Sequence, residues 1–363
     1  AEFNYETMRM EVTDFAALIF NPVAQVKFVH TVAAGYVTGS IFVLAISSWY
    51  LLKKRDLGFA RRSFAIASAF GLASILSVIV LGDESGYEIG DVQKTKLAAI
   101  EAEWHTEEAP AAFTLIGLPN MATHSTDYAI KIPYAMGIIA TRSLDTEVTG
   151  IKDLIDQHEV RIRNGIIASE RLAVLRAGDR TEENIALFDE VKDDLGYGLL
   201  LKRYTENISD ATEAQIKQAA ADTIPHVPSI FWAFRLMVGA GFLMLLLFVL
   251  AFWASTKHNQ EHKPWLLKFA LICLPLPWVA VQTGWYVAEV GRQPWSIGEV
   301  LPTFLSASSL TTADVWGSII AIASIYTVLI IIEMFLMIRF ARKGPSCLHT
   351  GRYHFEQDAQ KNS

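Results

Sequence analysis

Five long apolar runs constrain this chain more than any other feature. They cover residues 28–52, 64–81, 229–255, 266–289 and 315–340. Each is about 18–27 residues long, enough α-helix to cross a hydrocarbon core of roughly 30 Å. A backbone in lipid must satisfy its own hydrogen bonds, so runs of this length form helices. The second run is short, and Lys268 interrupts the fourth near one end. The chain is 52% hydrophobic and 19% charged, too apolar for an ordinary soluble enzyme of this size. The expected fold class is all-α: a polytopic transmembrane helix bundle of about five spans with a large, mainly helical extracytoplasmic loop insert.

Charge placement orients the spans. Residues 83–228 hold 26 acidic and 14 basic side chains, a balance of −12 against −7 for the whole chain. The acidic balance argues against nucleic acid as a partner. Lys53, Lys54, Arg55, Arg61 and Arg62 fill the first short loop. Lys257, His258, His262 and Lys263 fill the loop between the third and fourth runs, and Arg339, Arg342 and Lys343 close the last. If the spans alternate, all three clusters share one side, which the positive-inside rule makes cytoplasmic. The expected order is an extracytoplasmic segment (1–27), two spans within 28–82, an acidic extracytoplasmic loop (83–228), three spans within 229–340 and a cytoplasmic tail (341–363). Helical periodicity in the acidic loop falls in "DVQKTKLAAIEAEW", "TEVTGIKDLIDQHEVRIRNGIIASERLAVLRAG" and "TEENIALFDEVKDDLG". Cys273 and Cys347 are far apart, with no CxxC spacing, so neither a disulfide framework nor a zinc site is indicated. Gly-rich phosphate loops, GxSxG and HExxH do not occur. The chain opens "AEFNYETMRMEV", with no initiator methionine, and further residues upstream are expected.

Polar groups inside apolar runs are costly and mark function by default. His30, Met237 and Glu289 all fall toward the outer ends of their runs under this topology. A neutral imidazole and a thioether can close an iron from both axial sides. Met237 alone reads more simply as packing, and His30 alone reads equally well as an interfacial hydrogen-bonding group. Gly35 and Gly39 suit a helix–helix contact. Glu289, one turn from Trp285, can ligate iron, carry protons or face water. Arg292 can pair with Glu289 or with an anionic propionate. Arg235 needs an anionic partner, and Glu333 has no assigned role. Lys96 and Glu101 suit the cation and proton acceptor that quinol oxidation needs, while periodicity alone strongly favours a solvated helical face. They lie about 140° apart on an ideal helix, and as a solvated face their truncation would cost only about 0.5 kcal/mol.

Together "NPVAQVKFVHTVAAGYVTG", "VLGDESGYEIGDVQKTKLAAIEAEW", "GYGLLLKRY", "GRQPWSIGEVLPT" and "TGRYHFEQ" resemble subunit I of the cytochrome bd ubiquinol oxidases, in the form with a long quinol-binding loop. The resemblance runs over essentially the whole chain. It implies that His30 and Met237 are axial ligands of a low-spin heme b, with Arg235 beside it. It implies that Glu289 ligates a high-spin heme b, with Trp285 and Arg292 nearby, and that Lys96 and Glu101 bind and oxidise ubiquinol. The iron-binding residues are then His30, Met237 and Glu289. Implied partners are subunit II, small single-span subunits, quinol, oxygen and membrane lipid, in the bacterial inner membrane with residues 83–228 periplasmic.

The family's subunit I has about four further spans, which carry a His and a Glu implicated in heme d ligation and proton delivery. No positions here match them, so the ligands of heme d are incomplete within this chain and oxygen reduction by the chain alone is not expected. The expected function is quinol oxidation, with electrons passing through heme b to an oxygen-reducing heme and a proton gradient built without pumping. The rival is a non-enzymatic membrane module that holds one b heme and passes electrons to a partner. A transporter is less favoured, because paired interrupted spans are not seen.

Overall fold

The computed structural model describes residues 2–109, 111–136, 142–143, 145 and 147–344. The tail expected at 341–363 is described only as far as Gly344. Cys347, His349 and His354 lie outside the described residues.

The chain starts with a small hairpin, β1 (Glu2–Asn4) and β2 (Arg9–Glu11), and a short helix α1 (Phe15–Ile19). Two long helices follow, α2 (Pro22–Leu52) and α3 (Leu57–Val92). The acidic segment then forms α4 (Lys94–Glu101), a hairpin of β3 (Phe113–Asn120) with β4 (Ser125–Ile132), and α5 (Ile151–Arg176), α6 (Glu182–Asp189), α7 (Leu195–Leu199) and α8 (Glu213–Ala221). The remaining elements are α9 (Val227–Thr256), α10 (Pro264–Ile272), α11 (Leu276–Val290), the short pair β5 (Trp295–Ile297) and β6 (Leu301–Pro302), and α12 (Thr312–Lys343).

Among the described residues, five helical stretches are long and apolar enough to cross a membrane: Pro22–Leu52, Leu57–Gly90, Val227–Thr256, Pro264–Val290 and Thr312–Lys343. Each contains one of the five apolar runs. The chain is mostly helical, and the three small sheets among the described residues have two strands each.

Three features differ from the sequence reading. Helix α3 does not stop where charge begins but continues through "GDESGYEIGDV" to Val92, because none of those residues breaks a helix as proline would. The fourth span is broken into α10 and α11 at 273–275, where Pro275 and Pro277 remove backbone donors. The β3–β4 hairpin lies in the insert read as mainly helical. Its turn follows Asn120, whose side chain accepts from the Ala122 N–H at 2.9 Å, an Asx-type turn.

The chain divides into two compact units. One comprises 1–31, 79–239 and 279–307, and the other 32–78, 240–278 and 308–363. In the first unit, α5 is the organising helix. Asp153 sits in its first turn and Arg176 in its last, matching the helix dipole. A Cβ on Gly165 would lie 2.2 Å from the backbone nitrogen of Gly198, so only glycine allows α5 and α7 to touch. Phe188, Leu172, Leu175 and Met8 form one buried cluster, which Phe3 and Tyr5 of the N-terminal hairpin cover. Thr212 and Gln215 cap α8 reciprocally.

All three cationic clusters belong to the second unit. Arg61 pairs there with Glu261, and the Arg55 guanidinium donates to the carbonyls of Arg342 at 2.8 Å and Lys343 at 3.3 Å. Thr311 and Asp314 cap α12. That helix buries none of its residues, and Glu333 is exposed on it. The packing expected of Gly35 and Gly39 is not made among the described residues, since a Cβ on either meets nothing within 4 Å.

Candidate functional site

All eight candidate residues fall in the first unit. They are carried by α2 (His30), α4 (Lys96, Glu101), α9 (Arg235, Met237), α11 (Trp285, Glu289) and the turn after it (Arg292).

The centre of the site is Arg235. Its Nη2 donates to Glu101 Oε2 at 3.0 Å, with side chains 9% and 5% exposed. Nη2 also donates to the Thr114 carbonyl. Nη1 donates to Ile100 O at 2.5 Å and Phe231 O at 3.3 Å, and Nε to Leu115 O at 3.2 Å. These contacts use all five guanidinium N–H groups. The guanidinium also lies 3.4 Å from the centroid of the Phe231 ring. The charge that the sequence left without a counter-ion is therefore tied to the end of α4 and to strand β3. With every donor committed, Arg235 acts on its surroundings by charge.

Glu101 and Lys96 are not the solvated face expected of them. Their residues are 4% and 3% exposed. Ala98, Ala99 and Ile100 between them join Trp104, Ile151, Leu154, Val227, Ile230, Phe231 and Val287 in one core. The negligible truncation cost expected for an exposed pair does not apply. Burial pushes the Glu101 carboxyl up to about 7 against the opposing pull of Arg235. Burial, with Lys27 and Arg292 nearby, brings the Lys96 ammonium down to about 8, with Glu289 opposing. The two diverge on α4, as their spacing requires. Glu101 faces Arg235, and the Lys96 stem lies against Gly291, where a Cβ would come within 3.0 Å of Cγ and 3.1 Å of Cε.

Glu289 pairs with Arg292 at 2.6 Å, each side chain 44% exposed. An exposed pair like this contributes little and exchanges readily. Trp285 is 58% exposed.

His30 and Met237 each lie against a glycine of a neighbouring helix. A Cβ on Gly82 of α3 would stand 3.4 Å from His30 Cε1 and 3.8 Å from Nδ1. A Cβ on Gly284 of α11 would stand 3.0 Å from Met237 Sδ. Imidazole and thioether are the donor set of a six-coordinate heme iron, and each of these donors packs against a glycine backbone. The residues present fit the group.

Two features escaped the sequence reading. Glu103 is buried, 5% exposed, and the sequence signals it only as the second acid of "EAE". The second is a polar network. His158 Nδ1 lies 2.7 Å from Thr223 Oγ1. Arg161 reaches Asp194 at 2.5 Å, Glu299 at 2.8 Å and the Tyr197 hydroxyl at 3.2 Å. Tyr197 packs edge-on against Trp295. This network fastens α5 and α7 to the loop after α11. Its members lie far apart in sequence, and no local pattern joins them.

The family profile of cytochrome bd terminal oxidase subunit I matches residues 1–345. The chain belongs to the cytochrome bd terminal oxidase subunit I family. It is 45% identical over 350 residues to cytochrome bd-II ubiquinol oxidase subunit 1 of Escherichia coli (strain K12), covering 96% of this chain and 68% of that protein. It is 28% identical over 343 residues to cytochrome bd ubiquinol oxidase subunit 1 of Bacillus subtilis (strain 168), covering 94% of this chain and 61% of that protein. The bd oxidase structure from Geobacillus thermodenitrificans shares the fold, with a TM-score of 0.67 at 23% identity, over 94% of this chain and 63% of that one. Family membership implies heme cofactors, a place in a membrane and a multi-subunit assembly.

Proposed function

We propose that this chain carries the quinol-oxidising site and the b hemes of a respiratory quinol oxidase in the bacterial inner membrane. The observation that carries the reading is the buried Glu101–Arg235 pair, two residues from Met237 on α9. Glu101, with its carboxyl near neutrality, accepts a proton from one hydroxyl of ubiquinol. Lys96 holds the other oxygen by charge and hydrogen bonding. Arg235 keeps the acceptor in place and supplies positive charge beside it. His30 and Met237 would hold a low-spin heme b, and Glu289, with Trp285 and Arg292 near it, a high-spin heme b. When bound, these groups carry electrons from quinol toward oxygen.

Among the described residues of the five spans, His30 is the only histidine. In this reading the ligands of heme d lie outside these residues, and oxygen reduction belongs to the complete assembly with subunit II and small single-span subunits. The acidic segment 83–228 faces the periplasm and the cationic loops the cytoplasm. Releasing quinol protons outside and taking protons for water from inside builds the gradient without pumping.

The test is Glu101→Ala in the complete oxidase. Quinol oxidation should fall while oxygen reduction driven by an artificial reductant persists. Equal loss of both activities in a variant that still assembles and binds heme would make the residue structural and remove the reading.

A further inference from the structure

Glu101 lies almost wholly out of water, so a proton it accepts needs a way out. The chain turns sharply just beyond it. Ala102 adopts a left-handed conformation, with φ of 53°, and ends α4. The Glu103 N–H donates to Ala98 O at 2.9 Å, and its carbonyl accepts from the Ile151 N–H at 2.8 Å. The backbone of Glu103 is thus fixed between α4 and the start of α5, with its side chain buried.

Strand pairing brings two ion pairs to this place. Thr114 of β3 stands opposite Lys131 of β4. The Thr114 carbonyl takes a hydrogen bond from Arg235, the partner of Glu101. Lys131 pairs with Glu107, whose side chain is 31% exposed and also accepts from the Ala112 N–H at 3.3 Å. Glu107, Lys131 and Glu101 all act electrostatically on the Glu103 carboxyl. It is therefore within electrostatic reach of both the buried pair and the half-exposed pair.

We propose that Glu103 relays the proton taken up by Glu101 to Glu107, and so to the outer solvent. The inference rests on the reading of Glu101 as the proton acceptor. Only protons move along this path. An O–H bond on Glu101 breaks as one on Glu103 forms, and the transfer repeats to Glu107, which releases the proton to water. The two electrons of the quinol leave by the redox centres of the oxidase. Burial pushes the Glu103 carboxyl up to about 7, with Glu107 adding to the rise. A carboxyl in that range exchanges protons readily near neutral pH. Glu103 does not touch substrate, and its role is distinct from that of Glu101.

The experiment compares Glu101→Gln, Glu103→Gln and Glu103→Asp in the complete oxidase. It measures quinol oxidation, its pH profile, dye-detected proton release and the infrared carboxyl band. Glu103→Gln should lower kcat about a hundredfold, the lower end of what a proton-transfer group contributes. It should leave KM for quinol within about twofold, slow proton release in parallel and remove a carboxyl band that titrates near pH 7. Glu103→Asp should restore most of the rate. Wild-type kcat and proton release in Glu103→Gln would overturn the relay. So would a loss that Glu103→Asp fails to recover. If Glu101→Gln oxidises quinol normally, the reading of the quinol site itself falls. If Glu101→Gln is slow and Glu103→Gln is normal, only the relay falls.

Discussion

Arg235 Nη2 and Glu101 Oε2 meet at 3.0 Å with both side chains withdrawn from water. They come from α9 and α4, 134 positions apart. The pair joins a membrane-spanning helix to the acidic segment at one buried point. Four backbone carbonyls complete the shell of the guanidinium, so the cation is well solvated by protein while its partner remains. Removing one partner from such a pair leaves a buried charge uncompensated, at a cost of about 3–5 kcal/mol. Glu101→Ala should therefore destabilise the solubilised complex by about that amount, and Glu101→Gln, which retains an acceptor oxygen, by less. Thermal unfolding of the purified variants measures both. A loss under about 0.5 kcal/mol for the alanine variant would mean that the pair is not buried in solution.

Opposite pressures on two side chains of α4 set the pH range of the site. In the proposed reaction Glu101 must be ionised to accept a proton, and its carboxyl is raised to about 7. In the same proposal Lys96 must be protonated to hold the quinol oxygen, and its ammonium is lowered to about 8. Quinol oxidation should rise through about pH 7, peak between the two values and fall through about pH 8. Lys96→Met should lose the alkaline limb and keep the acid one. A profile flat from pH 6 to 9 would show that neither group titrates in turnover.

The spans were legible because about twenty apolar residues have few alternatives to a membrane helix. The burial of Lys96 and Glu101 was not. Read alone, "KTKLAAIE" is an ordinary polar-faced helix. What buries it is long-range: Phe231 and Ile230 of α9, Ile151 and Leu154 of α5, and Val287 of α11. Arg235 announced that it needed an anion, but the choice of Glu101 depends on how α9 meets α4. The β3–β4 hairpin was missed for a local reason. Its register shifts at Ile116, and β4 is exposed along most of its length, which blurs the alternation that would mark a strand.

His158 gives the acidic segment its own pH dependence. Burial lowers its imidazole from 6.5 to about 4, with Glu299 opposing and Arg161 assisting. The unfolded chain takes up a proton below about 6.5, while the folded chain refuses it until about 4. The stability linked to this group is therefore fully present above 6.5 and is lost as pH falls through 4. His158→Asn can keep a hydrogen bond toward Thr223 but cannot take up this proton. Its melting temperature should change less between pH 6.5 and 4 than that of the unaltered complex. Equal slopes over that window would rule out a buried neutral imidazole.

The two glycines beside the proposed axial ligands separate ligation from packing. A methyl at Gly284 would stand 3.0 Å from Met237 Sδ, tighter than ordinary contact, while one at Gly82 would stand 3.4 Å from the nearest ring carbon of His30. Gly284→Ala should push the thioether by a few tenths of an ångström, and Gly82→Ala should be accommodated. Thioether ligation raises the potential of a heme iron, so weakening it in Gly284→Ala should lower the midpoint of the low-spin center and leave Gly82→Ala near the parent value. His30→Ala should abolish the low-spin signal in the reduced-minus-oxidised spectrum. Small residues also serve helix contacts in membranes, and that role predicts something else: lower stability in Gly284→Ala with an unchanged spectrum and midpoint. Redox titration of the three variants beside their thermal unfolding decides between the two, and an intact low-spin band in His30→Ala would remove His30 from the ligand set.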